Sequence, residues 1–250
     1  MACSFPDHFS STAAGYAIYR PNYPAALFEW LGRVAPDRRI AWDCGTGSGQ
    51  AAVALAEHFA LVVATDPSTA QLAHSAPHPR VRYAAMPAER SALASGAVSL
   101  ITVAQALHWF DPAAFFAEAR RVLTTRGVIA VWSYGLVALN DSALDAVLRR
   151  FHSETVGPFW PPERRLVDDG YRALELPFTP VAVPTIAMEA HWTLEQLAGY
   201  LSTWSAVQRA RTVTQSDPVA GVVEELRAGW GEEHMARRVE WPLTLRAGRA

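Results

Sequence analysis

The chain has 250 residues, of which 50% are hydrophobic and 18% are charged, and its formal net charge is −2. This composition supplies a sizeable core, excludes a disordered chain, and contains no basic block of the kind that binds nucleic acids. All 22 basic residues are arginine, which excludes chemistry that needs a lysine, such as a Walker phosphate loop or a Schiff base.

The cysteines indicate whether the chain forms disulfides or binds a metal, and the apolar segments indicate its location in the cell. Cys3 and Cys44 do not make a disulfide framework, and no Cys/His grouping has the spacing of a zinc site. We therefore expect no metal. The N-terminus lacks a signal-peptide pattern, and the longest apolar run, residues 98–107, is too short to span a bilayer. These features predict a cytoplasmic protein with no membrane or nucleic-acid partner.

Helix and strand patterns alternate from residue 23 to residue 134. Apolar residues at helical spacing predict a first helix over residues 23–34. Asp111 and Pro112 suit the cap and the first position of a later helix, and Gly127 suits its C-terminal end. The predicted strands cover residues 40–43, 61–66, 81–85, 98–104 and 128–132. Strands that are separated by helices predict a parallel sheet with right-handed crossovers.

The pattern changes after residue 134. A helix is predicted over residues 140–151, and a stretch rich in aromatic residues and prolines follows over residues 156–184. Thr193 and Gln196 form the capping-box pattern of a further helix, and another helix begins near Asp217. This part of the chain is therefore predicted to be a mainly helical region outside the parallel sheet.

The end of the chain predicts one more strand. Residues 238–246 alternate strictly between apolar and polar, which is typical of a strand half exposed to water. Pro242 cannot donate to a ladder, so we expect a bulge or an edge there. The predicted division is a core with an N-terminal arm (1–134), a cap or substrate region with helices and a late strand (135–237), and a terminal strand that returns to the core sheet (238–250).

The segment 43–50 (DCGTGSGQ) is the clearest functional motif. It follows a short apolar strand and precedes a helix, and its glycines allow the backbone to turn tightly and to approach a nucleotide-like ligand. Asp66 ends the next predicted strand, 21 residues after Gly45. Open α/β nucleotide folds place a carboxylate at that spacing against ribose hydroxyls. The plainer alternatives are a loop that only turns and an Asp66 that only caps a helix.

Two cofactors use a site of this kind. A dinucleotide fingerprint requires G-x-G-x-x-G, but Gln50 occupies the third glycine position, and Asp43 opens the loop. A carboxylate does nothing for a pyrophosphate, whereas it attracts the ammonium group of S-adenosylmethionine. The motif therefore favours S-adenosylmethionine over a nicotinamide dinucleotide.

At this point residues 38–134 resemble the class I S-adenosylmethionine-dependent methyltransferases. A narrower similarity, to the small-molecule branch around trans-aconitate methyltransferase, rests on residues 19–24 (YRPNYP), 105–111 (QALHWFD), 203–206 (TWSA) and 239–243 (VEWPL). The resemblance implies a Rossmann-like, mostly parallel seven-stranded sheet with helices on both faces and a helical, aromatic cap insertion. One departure is Ser99, where the family usually has an aspartate at the start of the fourth strand.

The resemblance also implies the residues that bind the cofactor. The methionine end would be held by the glycine loop, the ribose by the strand-end acid, and the adenine by the segment MPAE at 86–89; the arm would close over them. These residues are Tyr16, Tyr19, Arg20, Asp43, Gly45, Gly47, Asp66, Ala88, Glu89, Gln105 and Ala106.

Several residues are candidates for binding the methyl acceptor or acting on it, and each has a functional and a structural interpretation. His108 would act as a base if the acceptor is a phenol, enol or amine, and otherwise it is a structural histidine. Aromatic side chains would form pocket walls, and an arginine could pair with an anionic acceptor. The candidates are Trp109, Trp160, Tyr171, Trp204 and Arg209, with Arg164, Arg165 and Arg211 as further arginines. A carboxylate is ionised at neutral pH and needs no base.

The predicted function is thus methyl transfer from S-adenosylmethionine to a small molecule, possibly a carboxylate. The alternatives are an NAD-dependent oxidoreductase and a protein that binds S-adenosylmethionine without catalysis.

Overall fold

The computed structural model describes residues 19–250, so the prediction for Tyr16 lies outside the described residues. The described part contains nine strands. They are β1 (Ile40–Cys44), β2 (Leu61–Asp66), β3 (Val81–Ala85), β4 (Val98–Ala104), β5 (Leu123–Tyr134), β6 (Thr179–Pro180), β7 (Met188–Trp192), β8 (Arg237–Trp241) and β9 (Leu243–Arg249).

Seven of these strands form the central sheet, in the order β3-β2-β1-β4-β5-β9-β6. The first five strands are parallel, while β9 lies antiparallel between β5 and β6. The predicted mostly parallel seven-stranded sheet is therefore confirmed. β5 is longer than predicted and already begins at Leu123, so Gly127 lies inside a strand rather than at the end of a helix. At its start, Leu123 pairs with Val98 of β4 ahead of a register shift, and at its end Ser133 and Tyr134 pair with β9.

The helices cover both faces of the sheet and build the cap. They are α1 (Ala25–Val34), α2 (Gln50–Leu55), α3 (Thr69–Leu72), α4 (Pro112–Val122), α5 (Ser142–Arg150), α6 (Arg164–Asp168), α7 (Leu194–Ser202), α8 (Ser205–Thr214) and α9 (Pro218–Trp230). Leu31 of α1 and Leu55 of α2 are fully buried in one cluster, and Phe115 of α4 is fully buried in another. Each such side chain contributes about 1.5–3 kcal/mol by leaving water.

Side chains that the sequence marks as caps begin their helices as predicted. The Asp111 carboxylate accepts a hydrogen bond from the Ala114 N–H, and Pro112 is the first residue of α4. Thr193 and Gln196 form the reciprocal capping box of α7. Ser99, at the position where the family has an aspartate, is buried and donates its hydroxyl hydrogen to Asp37. The Ser99 hydroxyl therefore makes a hydrogen bond at a buried position where the family usually has a carboxylate.

The cap has a hydrophobic core of its own. Helices α5, α7, α8 and α9 and the two-stranded sheet β7-β8 enclose it. Its buried side chains include Leu148, Leu197, Leu201, Trp204, Trp230 and Trp241. The cap is thus a packed unit rather than a loose insertion.

Pro242 divides the strand that the sequence predicts over residues 238–246. β8 ends at Trp241 and pairs with β7, whereas β9 begins at Leu243 and pairs with β5. A proline has no N–H to donate, so neither ladder can continue through it. The prediction of one continuous strand is therefore wrong, because the chain leaves the cap sheet and enters the central sheet at this residue. The disruption does fall at Pro242, and residues 243–249 do return to the central sheet.

Two findings concern the described residues as a whole. None of the helices between residues 19 and 250 combines the length and the apolar character that a membrane crossing requires. The same residues contain no grouping of three or more His, Cys, Asp or Glu side chains arranged to hold a metal ion.

Candidate active site

The glycine loop between β1 and α2 has a conformation that only glycine adopts easily. Gly45, Gly47 and Gly49 have φ angles of 70°, 55° and 85°. A Cβ atom on Gly45 would lie 2.6 Å from the Ala106 Cβ. At Gly47 the only neighbour of such an atom among the described residues would be the Gln71 Oε1 at 3.9 Å. The bare backbone of Gly47 therefore faces open space.

Asp66 ends β2 beside this loop, as the sequence predicts. Its Oδ2 accepts a hydrogen bond of 2.9 Å from the Gly47 N–H, and its Oδ1 accepts one of 2.9 Å from the Ser68 N–H. The Gly45 N–H in turn donates to the Thr65 carbonyl oxygen at 2.8 Å. The carboxylate is therefore fixed in orientation and couples the loop to β2.

Asp43 is buried under the loop rather than exposed to the space above it. Its two carboxylate oxygens accept hydrogen bonds of 2.6 Å from the Thr46 hydroxyl and 2.7 Å from the Thr102 hydroxyl. Burial raises the pKa of Asp43 to about 6, although both hydroxyls oppose this rise. The direct ligand contact expected of Asp43 is therefore replaced by a supporting role, in which the carboxylate ties the loop to β4.

The burial of Asp43 predicts a pH-dependent difference in stability between the wild type and Asp43→Asn. The pKa is higher in the folded protein than its ordinary value of 3.8, so the native state binds this proton more tightly than the unfolded state does. The contribution of Asp43 to stability is therefore present below about pH 4 and lost as pH rises through about 6. Relative to the wild type, Asp43→Asn should gain about 2 kcal/mol of unfolding free energy between about pH 4 and pH 7 in urea titrations. A difference that stays constant with pH would contradict the burial of a proton-binding Asp43.

A cavity of about 670 Å³ opens above the glycine loop, at the carboxyl ends of β1, β2 and β4. Open α/β sheets bind their ligands at this edge. Of the predicted cofactor residues, those on its wall are Arg20, Gly45, Gly47, Asp66, Ala88, Glu89, Gln105 and Ala106. The tertiary structure thus brings together residues from the arm, the loop and three strand ends.

A second cavity, of about 70 Å³, lies next to the first and extends under the cap. Four residues line both cavities: Arg20, Gln105, Trp109 and Tyr134. The rest of its wall comes largely from the cap and includes His108, Trp160, Arg164, Tyr200 and Trp204. The two cavities therefore share one wall, which is the arrangement that transfer of a group between two bound molecules requires.

The lining of the small cavity is positively charged. Among the described residues that line it, Arg20 and Arg164 are basic and none is acidic. The Arg20 Nη1 donates a hydrogen bond of 2.8 Å to the Tyr134 hydroxyl oxygen. The Arg164 guanidinium lies 4.6 Å from the Trp160 ring centroid, and its Nε donates to Asp168 at 2.8 Å. Both arginines are thus held in place, and Asp168 balances part of the charge from outside the cavity.

His108 contributes a neutral ring to this cavity. Its Nδ1 lies 2.9 Å from the hydroxyl oxygen of Tyr171. Burial, and then the nearby charge of Arg164, lower the pKa of His108 to about 3. At neutral pH the imidazole is therefore uncharged and has a low affinity for a proton.

Like Asp43, the predicted residues Tyr19, Tyr171 and Arg209 border neither cavity. Tyr171 is fully buried behind His108, and Arg209 is exposed and donates to the Phe159 carbonyl oxygen at 3.4 Å. Tyr19 contacts Gly199 of the cap helix α7. The predicted pocket roles of Tyr171 and Arg209 are therefore not met, because one side chain lies behind the wall and the other on the outer surface.

Tyr19 places Arg20 by lying against a helix that lacks a side chain there. A Cβ atom on Gly199 would come within 2.4 Å of the Tyr19 ring, whereas one on Gly221 of α9 would have no described neighbour within 4 Å. Gly199→Ala should therefore lose about 1–3 kcal/mol of stability through overpacking. The matched Gly221→Ala should gain up to about 1 kcal/mol, because alanine favours a helix. Urea unfolding of both variants checks this, and equal gains would show that Tyr19 does not rest on Gly199.

Sequence reasoning missed two aromatic residues of the small cavity. Tyr134 ends β5, and Tyr200 lies in α7. The position of Tyr134 at a strand end was a usable signal, since ligands bind at the carboxyl edge of the sheet. Tyr200 carries no such signal, because it follows the same helical pattern as the buried leucines around it.

The fold and the two cavities define an α/β enzyme that binds a nucleotide-like cofactor at the carboxyl edge of its sheet. A family model described as a methyltransferase domain matches residues 42–131. A chain from Anaeromyxobacter dehalogenans, described as a type II methyltransferase, is 46% identical with a TM-score of 0.86, and the match covers 92% of this chain and 98% of that one. A protein of Dictyostelium discoideum named as a methyltransferase is 36% identical over 204 residues, which are 80% of this chain and 78% of that protein.

The chain therefore belongs to the class I S-adenosylmethionine-dependent methyltransferases. Its cofactor is S-adenosylmethionine, and the nicotinamide alternative is set aside. A protein from an antibiotic biosynthesis pathway of Anabaena variabilis, at 17% identity and a TM-score of 0.57, shares the fold alone.

Proposed function

We propose that this enzyme methylates a small carboxylate acceptor, which binds in the 70 Å³ cavity. The observation that carries the proposal is that two arginines, Arg20 and Arg164, line that cavity, while Asp168, which pairs with Arg164, does not. A buried anion without a partner is costly, and an arginine binds a carboxylate through two parallel hydrogen bonds. The sequence similarity to the small-molecule branch around trans-aconitate methyltransferase points in the same direction.

The larger cavity suits the cofactor. The backbone of Gly47 borders it without a side chain, and a Cβ there would project into the cavity space. Gly45 and Gly47 would hold the methionine end, Asp66 the ribose hydroxyls, and Ala88 with Glu89 the adenine. When bound, the cofactor supplies a methyl group on a positively charged sulfur that is already activated for displacement.

Because the methyl group is already activated, the residues of this chain do not need to form or break covalent bonds themselves. Their work is to hold the acceptor oxygen in line and to keep water out, which accounts for much of the rate in reactions of this kind. The aromatic rings of Trp109, Trp160 and Trp204 provide the water-excluding walls. A carboxylate has no proton to lose, so the low pKa of His108, about 3, is compatible with the reaction.

The size of the small cavity limits the acceptor. A volume of about 70 Å³ holds a carboxylate with a few attached carbons. Because the wall of this cavity comes from the cap and from Arg20, it suits an acceptor small enough to lie between them. The proposal is therefore restricted to small molecules. The cytoplasmic location stays a prediction.

A panel of acceptors tests the proposal. Purified enzyme is incubated with cofactor labelled in the methyl group and with acetate, crotonate, fumarate, trans-aconitate or benzoate, alongside the corresponding amides, alcohols and amines. A methyl ester, unlike an ether or a methylamine, releases its label as volatile methanol in mild alkali. Transfer to an acid with alkali-labile product supports the proposal. Transfer to alcohols or amines alone would overturn it, and tight cofactor binding with no transfer at all would favour the non-catalytic alternative.

A further inference from the structure

Gln105 has a backbone conformation that glutamine rarely adopts. It follows the last residue of β4 and has a φ angle of 56°, in the left-handed region. A side chain in this region costs about 1 kcal/mol or more, whereas glycine pays little there. Glycine would adopt this turn at the lowest conformational cost, so the long amide side chain at residue 105 needs a separate explanation.

The backbone of Gln105 is tied to the neighbouring strand. Its N–H donates a hydrogen bond of 2.9 Å to the carbonyl oxygen of Trp132 in β5. The chain then enters the short turn Leu107–Trp109 that carries His108. The left-handed conformation is thus imposed by a fixed change of direction, and it determines where the side chain of Gln105 points.

The side chain lies at the boundary of the two cavities, both of which it lines. Its Nε2 approaches the carbonyl oxygen of Tyr134 at 3.4 Å, a long hydrogen bond that holds the amide toward β5. An amide nitrogen carries two hydrogens, so the second can be donated to a molecule in the small cavity. An amide does not titrate, so it can orient an anion at any pH without acting as a base.

We propose that the Gln105 carboxamide binds the acceptor carboxylate through Nε2–H and aligns one carboxylate oxygen with the methyl group, as a specificity residue at the shared wall. This inference rests on the proposed function. Arg20 and Arg164 attract the anion, and Gln105 fixes which of its oxygens faces the cofactor cavity. The strain at residue 105 is the consequence of placing an amide where the turn alone would take glycine.

Gln215 offers a matched control within the same chain. It is also a glutamine with a positive φ angle, 55°, but it is exposed at the end of α8 and lines neither cavity. Gln105→Gly and Gln215→Gly therefore make the same chemical change and relieve the same backbone conformation. Only the first removes an amide from the site.

The experiment compares both variants with the wild type, using the fastest acid of the panel above. Gln105→Gly should raise the KM of that acid at least tenfold, since a hydrogen bond to a charged group is lost. The affinity for S-adenosylhomocysteine should fall by a smaller factor than the KM rises, since Gln105 also borders the cofactor cavity, and the melting temperature should not fall. Gln215→Gly should leave the KM and the cofactor affinity unchanged, and its melting temperature should not fall either. Gln105→Glu, of equal size but negatively charged, should raise the KM further by repelling the carboxylate.

The other outcomes overturn the inference. An unchanged KM in Gln105→Gly would show that the amide does not bind the acceptor. An equal loss of affinity for acceptor and cofactor would place its role on the cofactor side. If Gln105→Gly fails to fold, Gln105→Asn gives the decision, because asparagine tolerates the left-handed conformation and its shorter amide should still raise the KM. A wild type that methylates no acid would instead overturn the proposed function.

Discussion

Replacement of Asp66 by alanine should weaken the binding of S-adenosylhomocysteine by about 30- to 1000-fold, or roughly 2–4 kcal/mol. Two hydrogen bonds from ribose hydroxyls to a charged acceptor are at stake. The same carboxylate also accepts the Gly47 and Ser68 N–H groups, so the loop loses an anchor as well. Titration calorimetry measures the change directly.

A control variant separates the two effects of Asp66. Asp217 caps α9 with its carboxylate, as Asp66 supports the glycine loop, but it lies in the cap and lines neither cavity. Asp217→Ala should lose about 1 kcal/mol of stability as a removed helix cap and keep the affinity of the wild type. If Asp66→Ala binds S-adenosylhomocysteine as tightly as the wild type does, the ribose assignment is wrong.

Removal of Arg164 should raise the KM of a carboxylate acceptor about 100-fold, because the anion would bind in the cavity without one of the two arginines that line it. Arg165 is the matched control, since it is the next residue of α6, is exposed and does not line the cavity. Arg165→Ala should change the KM by less than about twofold. Arg209→Ala should behave like the control because Arg209 lies on the outer surface.

In contrast to Arg164→Ala, we expect His108→Ala to have only a small effect on the methylation of a carboxylate. Its kcat for a carboxylate should stay within about tenfold of the wild type, since no proton is removed. The low pKa of His108, about 3, also means that its ionisation should not appear in the pH dependence of kcat between about pH 5 and pH 8. A hundredfold loss of kcat in His108→Ala, with little effect of Arg164→Ala, would show that the acceptor is a hydroxyl, enol or amine.

The sequence predicted the sheet well because its signals are local. The strand bounds over residues 61–66, 81–85 and 98–104 coincide with β2, β3 and β4. β4 is an apolar run that is buried almost throughout, and such a strand leaves this mark in any context. β3 lies at the sheet edge and is only partly buried, but it too is a short segment between turn residues. The strand over residues 238–246 failed because period-two alternation does not tell which ladder each half joins.

The site residues likewise fall into those that the sequence revealed and those whose environment it did not. The glycine loop and Asp66 could be found from the sequence because φ angles near 60° and a close backbone approach demand glycine, and because the spacing to the next strand end is fixed by one strand–helix–strand unit. Asp43 was found by the same motif, but its burial was not. Which way a strand-end side chain points depends on the hydroxyls of Thr46 and Thr102, and Thr102 is 59 residues away.

By itself, then, the sequence determined the parallel sheet, the loop that receives the cofactor and the acid that follows it. Only the tertiary structure decided which side chains line the small cavity. Arg164 lines it, Arg209 does not, and Tyr171 lies behind His108, although the two arginines and Tyr171 come from one aromatic and arginine-rich region. The physical reason is that a helix or loop residue can face the core, a cavity or the solvent with the same composition around it. That choice depends on how the cap packs on the sheet, through contacts between residues distant in the chain.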